Sequence, residues 1–250
     1  MTKITVSRKE LMNFLAFTKD IPDIRIVCAG VRITAEIAYS SYYLKKTLTV
    51  TPETIIDEGT IHIVYLDKFK QFLKASKNDY VTIRQIAITK PLYVSSGANK
   101  FQIPSSDDIE SATKVPVIRT MLSNGEESDW CSVGSVTLTH HTMIESTDLK
   151  SLADMKSLVS KESSFKIKVT PERWGLIAGQ TINGKLTTEL PIKNTGDEVD
   201  DIIDSNFGEW LPNCLQYLDD DDVTVHMGQN TLAVFAQPNT LLMVVDLAVD

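Results

Sequence analysis
Two stretches of this chain follow one plan. Residues 57–104 run from an acidic pair, Asp57-Glu58, through a strand, a Phe69-containing helix and Asp79-Tyr80-Val81-Thr82-Ile83 to a hairpin. Residues 197–249 run from Asp197-Glu198 through a strand-like segment, a Phe207-containing helix and Asp222-Val223-Thr224-Val225 to a hairpin. The offset is about 140 residues, with little identity. A duplicated plan constrains the fold more tightly than composition does, because both copies must pack the same elements in the same order. Each half reads as strand, helix, several strands, helix, three strands. The expected class is α+β, with two topologically repeated domains, each carrying two helices packed on antiparallel sheets.

Local signals support that order. Ile4-Thr5-Val6-Ser7 reads as a short strand, and Ser7-Arg8-Lys9-Glu10 as a capping box in which Ser7 and Glu10 satisfy each other's backbone donors. Leu11, Phe14, Leu15 and Thr18 then share a helical face, and Pro22 ends that helix. Alternating or β-branched runs predict strands at 24–28, 31–38, 42–50, 59–65, 80–85, 90–95 and 100–103. Leu66, Phe69, Phe72 and Leu73 form the stripe of a second helix. The second half predicts a strand at 135–139, a helix at 147–160, and strands near 165–169, 173–179 and 185–192. A helix near 207–218 comes next, which Pro212 kinks or shortens, then strands at 223–227, 231–236 and 240–248. Residues 104–129 differ: two polar stretches flank Val115-Pro116-Val117-Ile118. The expected boundaries are 1–106 for the first domain, 107–130 for a connector and 131–250 for the second domain.

With 250 residues, 42% of them hydrophobic, the chain has ample material for such cores, so disorder is excluded as its main state. No long uncharged apolar run predicts a membrane span, and the charged start is no signal peptide. Three scattered cysteines, Cys28, Cys131 and Cys214, fit a reduced cytoplasmic protein. The net charge of −8 argues against a polyanionic partner, but its distribution does not. Residues 1–125 hold 17 Lys+Arg and 12 Asp+Glu, whereas residues 126–250 hold 8 and 21. The first half is basic and the second strongly acidic.

Motifs for chemistry fail on inspection. Gly179-Gln180-Thr181-Ile182-Asn183-Gly184-Lys185 matches seven positions of a phosphate-binding loop, but Leu186 stands where Ser or Thr should hold magnesium. Residues 185–190 read as a strand rather than the helix such a loop must open, so the segment is a hairpin turn. His140 and His141 are neighbours on a strand and point to opposite faces, which disfavours one shared metal ion. Asp219-Asp220-Asp221-Asp222 lacks the spacing of a calcium loop and reads as a solvated turn. No Gly-x-Ser-x-Gly elbow is present. The expectation is no catalytic residue, no metal and no cofactor.

The basic residues are more orderly. Lys70, Lys74 and Lys77 fall at i, i+4 and i+7, away from the Phe69/Phe72/Leu73 stripe. Lys9 and Lys19 flank the polar side of the first helix, and Lys150 and Lys161 the polar side of its second-half counterpart. Such rows suit phosphate contact that ignores base sequence. A solvated helix face explains each row taken alone.

Several phrases point further. They include Gly59-Thr60-Ile61-His62-Ile63, Leu66-Asp67-Lys68-Phe69, and Ser95-Ser96-Gly97-Ala98-Asn99-Lys100-Phe101-Gln102-Ile103-Pro104. Together with Asp79-Tyr80-Val81-Thr82-Ile83 and the opening Ile4-Thr5-Val6-Ser7-Arg8-Lys9-Glu10-Leu11, they resemble the first domain of bacterial β clamps. Asp222-Val223-Thr224-Val225-His226-Met227-Gly228 and Leu241-Leu242-Met243-Val244-Val245-Asp246-Leu247 are similar to a clamp's last domain. The chain thus resembles the DNA sliding clamps, the processivity factors of replicative polymerases.

The resemblance implies the DNA clamp fold and a ring of six-fold pseudo-symmetry, with helices lining the hole and sheets outside. Two domains per chain imply a homotrimer, and a β-like first domain in such a chain implies a phage source. It implies no enzyme activity. Lys9, Lys19, Lys70, Lys74, Lys77, Lys150 and Lys161 would meet double-stranded DNA inside the ring. The replicative DNA polymerase and the clamp loader would be partners, at the replisome in the cytoplasm, or the host cytoplasm for a phage protein. Partner peptides would enter an apolar pocket under the connector, formed by Val117, Ile118, Met121 and Leu122 with Pro238 beside them. The last helix departs from the pattern, with Glu209 and no Lys or Arg. The inner helices should be positive in a protein acidic overall, least so in the second half, where only Lys150, Lys156 and Lys161 serve. Two alternatives remain: a non-catalytic β-rich scaffold that does not encircle DNA, and a nucleotide hydrolase using residues 179–185 and Lys185.

Overall fold
A computed structural model describes all residues except 19–20, 40, 52–53, 106–109, 124–131, 155–164, 171–172, 182–183, 191–193, 196–202, 209, 229–230 and 246–250. The chain divides into two compact units. The first is Met1–Ala38 with Lys45–Pro116, and the second is Tyr39–Leu44 with Val117–Asp250.

The first half of the chain contains β1 (Thr2–Ser7), α1 (Arg8–Phe14), β2 (Asp23–Ala29), β3 (Arg32–Ala38), β4 (Tyr42–Thr49), β5 (Ile55–Ile56) and β6 (Gly59–Val64). Then come α2 (Leu66–Ala75), β7 (Tyr80–Gln85), β8 (Leu92–Ser96) and β9 (Asn99–Ile103). After α3 (Glu110–Ser123) and a small hairpin of β10 (Ser132–Val133) and β11 (Val136–Thr137), the plan restarts. It gives β12 (His140–Glu145), α4 (Ser146–Asp154), β13 (Phe165–Thr170), β14 (Arg173–Thr181), β15 (Gly184–Leu190), β16 (Asn194–Thr195) and β17 (Ile203–Asn206). It closes with α5 (Trp210–Leu215), β18 (Asp222–Met227), β19 (Leu232–Ala236) and β20 (Thr240–Val245).

Strand orders correspond position by position. In the first unit they are β5-β1-β7-β8-β9 and β4-β3-β2-β6; in the second they are β16-β12-β18-β19-β20 and β15-β14-β13-β17. Register agrees as well. β1 meets β7 from Thr2↔Gln85 to Ser7↔Tyr80, and β12 meets β18 from His140↔Met227 to Glu145↔Asp222, both antiparallel. In the second unit β20 is followed by the start of β4, where the Val245 N–H donates to the Ser41 carbonyl at 2.9 Å. The fold is α+β, built twice from one plan.

Strand alternation fixes which face is buried. Along β1, Ile4 and Val6 are buried and Lys3 and Thr5 are not, and β7 buries Val81 and Ile83 in step. Helix α2 lays Leu66, Phe69 and Leu73 into this core, each fully buried. In the second unit Ile144, Val223, Val225 and Phe235 take the matching places. The Gln85 side chain accepts from the His62 backbone N–H at 2.8 Å and donates to the Lys90 carbonyl at 2.9 Å, tying β6 to the loop before β8.

Several elements differ from the sequence expectation. The capping box is half-formed: the Glu10 N–H donates to Ser7 Oγ at 3.4 Å, while Glu10 Oε2 has no hydrogen-bond partner among the described residues. Helix α1 ends at Phe14 and tightens into a 3-10 turn over Leu15–Phe17, well before Pro22. The strand expected at 135–139 is replaced by a two-residue rung of β11 and then β12, because the ladder to β18 holds 140–145. Helix α5 is six residues long and places Pro212 third, within the first turn, where a helix needs no N–H. β14 and β15 pair antiparallel up to Thr181↔Gly184, which puts Lys185 on a strand, as the hairpin reading expects. Helix α3 occupies part of the expected connector; Pro116 lies inside it, and Val115 is buried on it.

His62 gives a test of this packing. It is buried on β6, and desolvation first, with the charge of Arg25 second, lowers its pKa to about 4. The folded state therefore holds the ring neutral while the unfolded chain protonates near pH 6.5. Its contribution is intact above pH 6.5 and is lost as pH falls toward 4, about 3 kcal/mol in all. Denaturant titrations at pH 7 and pH 4 should show a loss larger by roughly that amount in the native chain than in His62→Leu. Equal losses would remove His62 from the acid response.

Candidate nucleic-acid interface
The basic side chains sit on two helices whose ends are joined by one residue. Arg8 opens α1, and its guanidinium donates to the Asn78 carbonyl at 3.0 Å and to the Leu73 carbonyl at 3.4 Å. The Arg8 backbone N–H reaches the Asp79 carbonyl at 2.7 Å. A cation thus serves the carbonyl end of α2, where the helix dipole is negative. Sequence reading misses this role, because nothing local marks a partner 65 residues away.

Around this joint, Lys9 is exposed on α1, and Lys68 and Lys74 are exposed on α2. Lys68 lies outside the row read from the sequence; its ammonium is 5.4 Å from the centre of the Tyr65 ring. Tyr65 precedes α2 in the left-handed region, with φ 53° and ψ 49°. Lys70 is half-buried and committed locally. Its Nζ donates to the Thr18 carbonyl at 2.8 Å and lies 3.4 Å from the Asp67 carboxylate. The i, i+4, i+7 row does not persist to its third member. Ser76 leaves the helix with ψ 137°, and its hydroxyl and N–H both return to the Phe72 carbonyl. Lys77 is therefore exposed in the loop beyond α2. Phe72, on the opposite side of α2, stacks on Phe101 with centroids 5.5 Å apart.

The second unit is poorer in uncompensated cations. Lys150 on α4 pairs with Asp220 at 2.6 Å, so one of the four consecutive aspartates cancels it. The aspartate run is an ordered turn. The Asp219 N–H donates to Gln237 Oε1 at 2.8 Å, Gln237 Nε2 donates to the Asp221 carbonyl at 2.8 Å, and the Thr240 hydroxyl bonds the Asp219 carboxylate. Helix α5 carries no Lys or Arg, and its Leu211, Cys214 and Leu215 are buried. Lys19, Lys156 and Lys161 lie outside the described residues.

Of the connector positions, Val117 is 62% exposed, and Ile118 and Met121 are half-buried on α3. The Leu122 side chain is outside the described set. Pro238 stands exposed on a separate turn, between β19 and β20. Among the described residues no three His, Cys, Asp or Glu side chains are grouped to hold a metal ion, and no helix is long and apolar enough to cross a membrane. His141 and His226 face each other across β12 and β18 with rings 5.7 Å apart.

No family model and no curated protein matches the chain. Solved structures do. The β chain of DNA polymerase III from Streptococcus pneumoniae superposes with a TM-score of 0.71 at 11% identity, over 99% of this chain and 65% of that one. The sliding clamp from Bacillus subtilis gives 0.65 at 16%, over 98% and 64%. This chain thus spans about 65% of the length of those bacterial proteins. The PCNA of Thermococcus kodakaraensis gives 0.64 at 16%, over 98% of this chain and 100% of that one. A Helicobacter pylori β clamp bound to a DNA ligase peptide gives 0.66 at 12%. With these matches over nearly all of its length, and with two units that repeat one strand order, the chain has the fold of the DNA sliding clamps.

Proposed function
We propose that the chain is a sliding clamp: three copies close head to tail into a ring around duplex DNA and tether a replicative polymerase to it. The pattern of strand edges carries this reading. β20 pairs with the start of β4, and their counterparts in the other copy of the plan are β9 and β15. Among the described residues, β9 and β15 end their sheets without a further partner. An open edge invites another strand. Repeating the β20–β4 arrangement between chains joins β9 of one copy to β15 of the next. A heterologous contact of that kind pairs both β9 and β15 once the ring closes. The full-length match to an archaeal PCNA supports two units per chain and hence three chains per ring.

Within the ring, Lys9, Lys74 and Lys77 contact phosphates without reading bases, so every register on the duplex is nearly equal in energy and the ring slides. Lys70 and Lys150 contribute with their charge partly compensated, and Lys19 and Lys161 complete the set. The function is mechanical and non-catalytic. Partner peptides dock at Val117, Ile118, Met121, Leu122 and Pro238, an idea supported by the ligase peptide on the H. pylori clamp. A clamp loader opens the ring. The site of action is the replisome, in a host cytoplasm for a phage-encoded chain.

Light scattering at micromolar concentration should give about three times the chain mass, and the protein should stay on nicked circular DNA and leave when the circle is linearised. A chain-mass particle, or equal retention on both forms, overturns the reading. Lys74→Glu with Lys77→Glu should weaken DNA association roughly tenfold at low salt while leaving the melting temperature nearly unchanged. Lys70→Ala should instead cost about 1 kcal/mol of stability through the lost bond to the Thr18 carbonyl. Thermal melts of the three substitutions separate the two roles.

A further inference from the structure
The sheet β5-β1-β7-β8-β9 has a second face. Its first face carries the buried Ile4, Val6, Val81, Ile83, Leu92 and Val94. On the other, register places Lys3 beside Arg84 and Arg84 beside Tyr93, with Thr82 beside Ser95 and Ser95 beside Lys100 in the next row. These six residues line a cleft of about 760 Å³, the scale of a small-ligand site. The Arg84 guanidinium lies 5.3 Å from the centre of the Tyr93 ring. Among the described residues no carboxylate lines the cleft, in a chain whose net charge is −8. Lys3 and Arg84 are cross-strand neighbours on β1 and β7, Lys100 lies on β9 beyond β8, and an anion in the cleft would relieve the repulsion between them.

The donors available decide which anion. Peptides recognised by sheets use the main-chain groups of an edge strand or an apolar groove. Here the main-chain groups of β1, β7 and β8 are consumed in their ladders, and the lining combines cationic and hydroxyl residues with Met1, Tyr93, Val94, Phe101 and Gln102. Side-chain donors on strands about 4.8 Å apart suit a flexible chain of phosphates. A solvent-facing antiparallel sheet with cations and an aromatic ring is a platform on which single strands lie. We propose that this outer face of the first unit binds single-stranded nucleic acid through its phosphates, with Lys3, Arg84 and Lys100 as contacts and Tyr93 beside the bases. The proposal rests on the clamp reading only for the source of the strand, the DNA on which the ring is loaded.

The test is fluorescence anisotropy of a labelled hexathymidylate, too short for encirclement to retain it, with the full-length protein at low salt. Lys3→Gln with Arg84→Gln should weaken binding at least tenfold and make the log–log salt dependence shallower by about 1.4. Arg84→Lys should retain affinity within about threefold, and Lys100→Gln alone should lose about threefold, which covers any misfolding of the double variant. Absence of binding, binding indifferent to the double variant, or equal displacement by hexaglutamate would each overturn the proposal, the last by revealing an acidic-peptide site. Retention of the double variant on circular DNA reports the clamp reading separately. Hexamer binding without circle retention would sink the clamp and leave this site standing.

Discussion

Backbone pairing along sheet edges is the constraint on which the rest depends. A strand in water is complete when both edges are paired, covered or charged. Here the same two strand orders occur twice, so each edge in one unit has a counterpart in the other. β20 has its neighbour within the chain, whereas β9 and β15 finish their sheets without one among the described residues. In the proposed ring the −8 net charge is no obstacle, since the basic first half of one chain would attract the acidic second half of the next.

The helices hang on this framework through few contacts. Leu66, Phe69 and Leu73 seat α2, and Arg8 joins its end to the start of α1. Their polar sides need no mutual fit and are free to carry charge. That division lets a protein of ordinary apolar content keep Lys9, Lys68 and Lys74 exposed on its helices. It also explains why Lys70, drawn in to the Thr18 carbonyl, differs from Lys74 one turn away.

Much of the fold is legible in the sequence. Alternation in Thr2–Ser7, Asp23–Ala29, Tyr80–Gln85 and Asp222–Met227 reports a half-buried strand directly, and the repeat fixes their order. Periodicity names α2 and its buried stripe. Helix α3 is not legible, because Pro116 inside it and weak patterning hide a helix from local rules. The lysine roles are legible only as positions. Lys70 meets Thr18 across 52 residues and Lys150 meets Asp220 across 70, and no window of sequence contains both partners. The cleft above Arg84 is hidden for the same reason: Lys3, Arg84 and Lys100 become neighbours only through strand register.

Gln237 has an effect beyond its own hydrogen bonds. By gripping the main chain of Asp219 and Asp221 from the neighbouring hairpin, it stops the aspartate run from sweeping through solvent. Four loose carboxylates would act as a mobile brush, their field averaged over many positions and easily screened. Pinned, they are a stationary source of potential with a definite direction. A polyanion approaching that corner meets a fixed barrier, and a cationic partner finds a landmark that does not move.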